Sequence, residues 1–175
     1  MNQITERTLH VVKQWERFRA KAYHDGFDKD GKPILSIGFG HSNQLKTFPF
    51  DENSVWTEEY ATEVLISDLN YYGDLLRPHL KIEVPDEIWG VCLSLSYNKG
   101  VGIPGNERGL INSDAWKILH DGGEYHLERF CEAILKYAVH APNKVTGAME
   151  EKRGLRWRRV AEAGLFLQDR FKDYL

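Results

Sequence analysis

Residues 23–42 read YHDGFDKDGKPILSIGFGHS. Two halves of opposite character meet in this stretch. The first carries three aspartates, Asp25, Asp28 and Asp30, among glycines. The second, Ser36-Ile37-Gly38-Phe39-Gly40-His41, is too apolar and too regular for a surface loop. Ala22-Tyr23 before the polar segment and Ile34-Leu35-Ser36-Ile37 after it predict a β-hairpin with a long loop, and Asp30-Gly31 is a favourable turn pair. The hairpin decides the fold, because the rest of the chain is patterned mainly as helix.

Upstream, Leu9, Val12, Trp15 and Phe18 recur near helical spacing and predict a helix over 5–18. Residues 43–56 are irregular, with Pro49 among them. Thr57 opens the clearest helix. Its hydroxyl suits an N-cap, Glu58 and Glu59 suit the positive end of the dipole, and Pro78 lies just past the end. Its apolar face reads Ala61, Val64, Leu65, Leu69, Tyr72, Leu75 and Leu76, with Asp68 on or beside it, an acid that needs a partner. After Pro85, EIWGVCLSLSYN reads as a buried helix, though its length leaves a strand open. Gly100, Gly102 and Gly105 mark a loop. Helices are expected near 112–120 and 124–138, a loop over 139–149, and a last helix from near Gly154 to the C-terminus. The fold class is α+β, mostly helical with one small sheet near the N-terminus.

The 175 residues suffice for one domain, and 42% hydrophobic content with 12% aromatics supports a packed core. A net charge of −3 argues against a general nucleic-acid binder. The opening residues, MNQITERTLHVVKQWERF, contain no long apolar run, so neither a signal peptide nor a membrane span is expected there. Cys92 and Cys131 sit among apolar residues and read as buried free thiols.

The aspartates allow three roles. As a calcium loop the stretch fails. With Asp30 at the fifth ligand position, Gly26 and Ile37 fall where the first and twelfth ligands belong. Asp28 reads as a turn residue. For chemistry, Glu16 at the end of the first helix and Asp25 in the hairpin form a carboxyl pair of the kind used in glycoside hydrolysis, one acid and one base or nucleophile. Apolar Trp15 and Phe18 beside Glu16 favour partial desolvation, which suits a general acid. Two acids nine residues apart do not by themselves single out this chemistry.

Trp15-Glu16, then Ala22-Tyr23-His24-Asp25, then Ser36-Ile37-Gly38-Phe39-Gly40-His41-Ser42 resembles the phage-type lysozymes of glycoside hydrolase family 24. Their motif is Glu, eight residues, Asp, five residues, Thr, followed by Ile-Gly-Tyr-Gly-His. The likeness continues in Thr57-Glu58-Glu59 through Asp68-Leu69, in Tyr97-Asn98-Lys99-Gly100, and in Gly154-Leu155 with Arg158-Arg159 and Glu162. Two departures stand out. The hairpin is longer than the family spacing, so counting forward from Glu16 selects Asp25 and counting back from Ser36 selects Asp30. Asp25 is preferred, because a longer hairpin carries its extra residues outward to the tip. Serine also replaces threonine at 36. The hydroxyl survives, but without the β-branch its rotamer is freer.

The resemblance implies a single lysozyme-like domain over 1–175. A hairpin lobe of about 19–56 joins through a helix of about 57–77 to a helical lobe of about 82–175 packed with helix 5–18. It implies a muramidase of the endolysin type that cuts the β-1,4 bond between N-acetylmuramic acid and N-acetylglucosamine in bacterial peptidoglycan. Glu16 is then the general acid, and Asp25 and Ser36 hold and activate a water, giving inversion across a carboxyl separation of about 6.5–9.5 Å. Asn98 is a substrate-binding candidate, and His41 and Asp68 are a structural pair. Arg156 or Arg159 either approaches Glu16 from the last helix or is solvated or bound to anionic wall polymer. No tryptophan is assigned to substrate. The resemblance implies no cofactor, no metal and no stable membrane association. A monomer is expected, and with no export signal in the sequence a holin-like membrane-permeabilising protein is the expected means of reaching the wall. A lapsed enzyme that only binds peptidoglycan, or a bacterial wall-degrading toxin, shares these features.

Overall fold

A computed structural model of the chain describes residues 2–104, 108–143 and 146–167. Gly105 and the expected last stretch of the C-terminal helix lie outside them. The elements run α1 (Glu6–Glu16), β1 (Arg19–Phe27), β2 (Pro33–Gly38), β3 (His41–Ser42), α2 (Glu58–Leu76), α3 (Asp86–Lys99), α4 (Asp114–His120), α5 (His126–Ile134), β4 (His140–Pro142), β5 (Met149–Glu151) and α6 (Arg153–Leu167). The chain divides into two compact units. One is Val12–Tyr71, and the other comprises the described residues on either side. The boundaries fall inside α1 and inside α2.

In the Val12–Tyr71 unit, α1 ends because Arg17 takes a left-handed conformation (φ 57°) after its amide closes the last helical bond to the Lys13 carbonyl. The chain reverses at once into β1. The three strands form an antiparallel sheet in the order β1-β2-β3. The hairpin tip is an aspartate turn in which Asp28 Oδ1 accepts from the amides of Asp30 (2.9 Å) and Lys32 (2.8 Å), and Gly31 supplies a positive φ. Gly38 also has positive φ (67°), and a Cβ there would lie 3.0 Å from the Ala61 Cβ and 3.1 Å from the Trp56 ring. The Ile-Gly-Phe-Gly run therefore lets β2 turn into β3 while α2 packs directly on it. Thr57 caps α2 by accepting from the Tyr60 amide. Val12, Leu35, Ile37, Phe39, Ala61, Val64, Leu65 and Leu69 are the buried apolar residues of this unit's core. Leu75, read from sequence as part of the apolar face, is 43% exposed instead.

In the other unit, nine consecutive residues of α3, Ile88–Ser96, are buried. A helix covered on every side shows no apolar stripe, which is why its sequence left helix and strand open. Trp89, Leu93, Leu95, Leu110, Leu119, Phe130, Ile134 and Phe166 are buried with it. Cys92 and Cys131 are buried free thiols, and burial, with Cys131 nearby, pushes the Cys92 thiol far up. The loop expected over 139–149 is incorrect in part, and so is the single sheet. His140–Pro142 pairs antiparallel with Met149–Glu151 as a second sheet. Each strand has three residues, only the middle one of each is not fully exposed, and one carries Pro142, so neither alternation nor β-propensity marks them.

Candidate active site

Glu16, Asp25, Ser36, His41 and Asp68 all fall within the Val12–Tyr71 unit. Glu16 is the last residue of α1, half-buried and followed by the left-handed Arg17. Asp25 and Ser36 face each other across the hairpin. Tyr23 pairs with Ser36, and Asp25 two residues on shares its face. Between His24↔Leu35 and Phe27↔Pro33 the strand β1 carries one residue more than β2. This bulge contains Asp25 and Gly26, with Gly26 at φ 109°. Bulges re-aim side chains, and here the buried Ser36 Oγ donates to Asp25 Oδ2 at 3.1 Å. Asp30 sits at the exposed tip, its amide held by Asp28. Of the two aspartates offered by sequence spacing, Asp25 is the one beside Ser36.

Tyr23 lies directly opposite Ser36 across the hairpin and went unnoticed in sequence beyond its use as a strand anchor. Its half-buried phenol is pushed above its ordinary value, first by burial and then by the Asp25 carboxylate. Arg19 and a side-chain hydrogen bond with Ser36 oppose this, and Glu16 adds to the rise. The Arg19 guanidinium lies 4.2 Å from the centroid of the Tyr23 ring. Period-2 alternation, which puts Tyr23 and Asp25 on one face, was the signal that could have found it.

His41 and Asp68 are 2% and 1% exposed, with His41 Nδ1 2.8 Å from Asp68 Oδ2. The other ring nitrogen, Nε2, lies 2.9 Å from the Thr47 carbonyl oxygen. Phe48, Phe50 and Trp56 surround the imidazole with ring centroids 5.5–6.1 Å away. The pair ties β3 to α2, and with it the sheet that carries Asp25 and Ser36.

Asn98 lies in the other unit, on the last turn of α3, where its Oδ1 accepts from Arg159 Nη2 at 2.9 Å. Arg159 is completely buried and its Nε lies 2.8 Å from Glu162 Oε2. Glu162 also receives Arg158 Nε (3.0 Å) and the Ser94 hydroxyl (2.6 Å), joining α3 to α6. Solvation is thus excluded for Arg159. Arg156 is exposed and faces Glu151 at 3.3 Å. Burial, followed by the two arginines, holds the Lys99 ammonium below its usual range. Trp89 and Trp116 are core, whereas Trp157 is exposed. Among the described residues no group of three or more acids, histidines or cysteines is placed to hold a metal ion.

A short hairpin sheet and a set of helices, with a glutamate closing the first helix and an aspartate beside a hydroxyl in the hairpin, define a lysozyme-like fold. The chain belongs to the phage lysozyme family, whose model matches residues 13–162. It is 26% identical over 170 residues to an endolysin of Bacillus phage B103, a match that takes in 97% of this chain but 56% of that protein, so the chain spans little more than half the relative's length. Among solved structures, the muramidase domain of SpmX from Asticaccaulis excentricus superposes with a TM-score of 0.72 at 21% identity, covering 95% of this chain and 99% of that one. The P22 lysozyme (a point variant) gives 0.69 at 23% identity over 95% and 99%. The endolysin of Escherichia coli O157:H7 phage FAHEc1 gives 0.65 at 23% identity over 95% and 94%.

Proposed function

We propose that this chain is a peptidoglycan-hydrolysing muramidase that cuts the β-1,4 bond between N-acetylmuramic acid and N-acetylglucosamine with inversion at the anomeric carbon. Glu16 gives its proton to the glycosidic oxygen as the bond from that oxygen to the anomeric carbon breaks. A water held by Asp25 and Ser36 attacks the same carbon from the opposite face, and Asp25 takes up the proton that the water releases. The observation that carries this reading is the Ser36–Asp25 hydrogen bond of 3.1 Å at the hairpin bulge. It pairs a carboxylate with a hydroxyl, the combination needed to hold and deprotonate one water. The position of Glu16 at the end of α1, in the same compact unit as the hairpin, supports it, as does membership of the phage lysozyme family. Asn98, with its carbonyl oxygen engaged by Arg159, presents its amide N–H groups as donors for a sugar or peptide carbonyl.

The decisive experiment is clearing of purified walls by wild type and Glu16→Gln, with the new reducing ends identified and their initial anomer read by NMR. Glu16→Gln removes the transferable proton and little volume, so activity should fall at least ~10²–10⁴-fold with the fold retained. The new reducing ends should be N-acetylmuramic acid in the inverted anomer. A Glu16→Gln protein that clears walls at near the parent rate ends the assignment. In the same reading the enzyme acts on the wall as a monomer and relies on a membrane-permeabilising protein of the holin kind. Intact cells should then lyse only after their membranes are permeabilised, while purified walls need no such help. Among the described residues no helix is long and apolar enough to cross a membrane.

A further inference from the structure

We propose that Lys13 is a positioning residue for the general acid, tethering the last turn of α1 so that Glu16 keeps its place relative to the strand that carries Ser36. This role rests on the reading of Glu16 as the acid. Glu16 is the last residue of α1, and Arg17 after it leaves the helix in a left-handed conformation (φ 57°). Helix ends fray, and the last carbonyls of a helix have no partner within it. A general acid tolerates little of that freedom, because a displacement of about 1 Å can cost ~10²-fold in rate. The end of α1 therefore calls for an anchor from outside the helix.

Lys13 supplies it from one turn back, since residues three apart are neighbours on a helix surface. Its Nζ donates to Thr62 Oγ1 at 3.1 Å, lies 3.1 Å from Glu58 Oε1, and sits 4.9 Å from the centroid of the Phe39 ring. The Thr62 hydroxyl is itself oriented. Its hydrogen goes to the Glu58 carbonyl oxygen at 2.8 Å, which leaves its oxygen as the acceptor for the lysine. Glu58 and Thr62 stand one turn apart on α2, and Phe39, 3% exposed, lies in the turn between β2 and β3. Beyond Glu16, Phe18 packs on the same ring, with centroids 5.6 Å apart. Glu16 is thus bracketed by two contacts that meet at Phe39, just past the strand that carries Ser36. All of these residues belong to the Val12–Tyr71 unit. Lys13 is 29% exposed and Glu58 54%, so as an ion pair the contact adds little to stability. Its effect falls instead on where the end of α1 sits.

The test compares Lys13→Met, Lys13→Arg, Thr62→Val and the double variant Lys13→Met with Thr62→Val on soluble uncrosslinked glycan chains, with kcat and KM separated and folding checked by circular dichroism and melting temperature. Methionine keeps the apolar stem and removes the ammonium group. Lys13→Met should lower kcat about 10–10²-fold, leave KM within about twofold, and lower the melting temperature by no more than ~4 °C. Lys13→Arg keeps the charge and the donors and should retain at least about a third of the parental kcat. Thr62→Val leaves the charge in place and removes one anchor, so it should lower kcat about three- to tenfold. Added to Lys13→Met it should cost nothing more, since there is no ammonium group left to hold. The role is overturned if Lys13→Met retains parental kcat, if KM rises while kcat holds, or if Lys13→Arg is no better than Lys13→Met. It is equally overturned if Lys13→Met is slow and Thr62→Val is not, since the lysine then acts by its charge and not as a tether. A loss of kcat that comes with unfolding at the assay temperature makes Lys13 a residue of stability alone and overturns the role too. A fully active Glu16→Gln protein overturns the acid reading itself, whereas an inactive Glu16→Gln beside a fully active Lys13→Met leaves that reading standing and removes only the lysine.

Discussion

The carboxylate that faces the serine is that of Asp25, not that of Asp30 at the hairpin tip. Counted along the sequence, Asp25 and Asp30 have equal claims, because an insertion between Glu16 and Ser36 shifts one count against the other. In space the two part. At the tip, Asp28 accepts from the amides of Asp30 and Lys32 and Asp30 stays exposed, while Asp25, in the bulge with Gly26, accepts from Ser36. Asp25→Asn should therefore lower the rate of wall hydrolysis by ~10²–10⁴-fold, the typical loss for a catalytic base. Asp30→Asn should stay within about twofold of the parent, as an exposed turn residue away from the chemistry does. Initial rates of turbidity clearing by the two purified variants separate these expectations, and a severe defect at Asp30 with a mild one at Asp25 reverses the assignment. The rule of alternation was enough to put Asp25 on the face of Tyr23. The bulge itself is written in backbone pairing and in the positive φ of Gly26, which no side-chain pattern announces.

At the scale of elements, legibility followed the strength of the local signal. Helix α2 was readable because a capping threonine, two acids, an apolar face and a trailing proline agree. The hairpin was readable because an apolar strand follows an aspartate-glycine turn. The second sheet was not, since its six residues, four of them exposed and one a proline, carry no apolar period. The Ile-Gly-Phe-Gly run is a case in which sequence pattern and packing meet. Gly38 adopts a left-handed conformation, and a methyl added there would meet Ala61 at 3.0 Å and the Trp56 ring at 3.1 Å. Neither neighbour is the free end of a flexible chain. Gly38→Ala should cost about 2–4 kcal/mol, combining backbone strain of ~1–2 kcal/mol with overpacking between β2 and α2. Denaturant unfolding of the variant with an unchanged slope measures this directly, and a midpoint equal to that of the parent shows that strand and helix are free to separate at that contact.

For the whole molecule the question is where the stability resides that holds such a site. The apolar cores were largely visible as periodic hydrophobes, but each unit also buries charge. In one, His41 faces Asp68. In the other, Glu162 gathers Arg158, Arg159 and Ser94. Asp68 announced itself as an acid on or beside an apolar helix face that needed a partner. The Glu162 cluster did not, because arginines and glutamates at helical spacing usually read as a solvated surface, and only tertiary burial distinguishes them. The His41–Asp68 pair offers the cleaner test. Both groups are almost fully enclosed, and both imidazole nitrogens face acceptors, Asp68 Oδ2 at 2.8 Å and the Thr47 carbonyl at 2.9 Å. Asp68→Asn keeps the shape but withdraws the charge, leaving an aromatic-walled histidine whose second acceptor is now a neutral amide. Breaking a buried pair in this way costs about 3–5 kcal/mol. In a chain whose total stability is expected at about 5–15 kcal/mol, that lowers the melting temperature by about 6–20 °C at ~2–4 °C per kcal/mol. The cost belongs to the pair and not to either residue, so removing His41 as well should cost less than the sum of the two single changes. Melting curves of Asp68→Asn, His41→Gln and the double variant decide it. Strict additivity, or a melting temperature of Asp68→Asn equal to that of the parent, means that the sheet bearing Asp25 and Ser36 is held to α2 by apolar contacts alone.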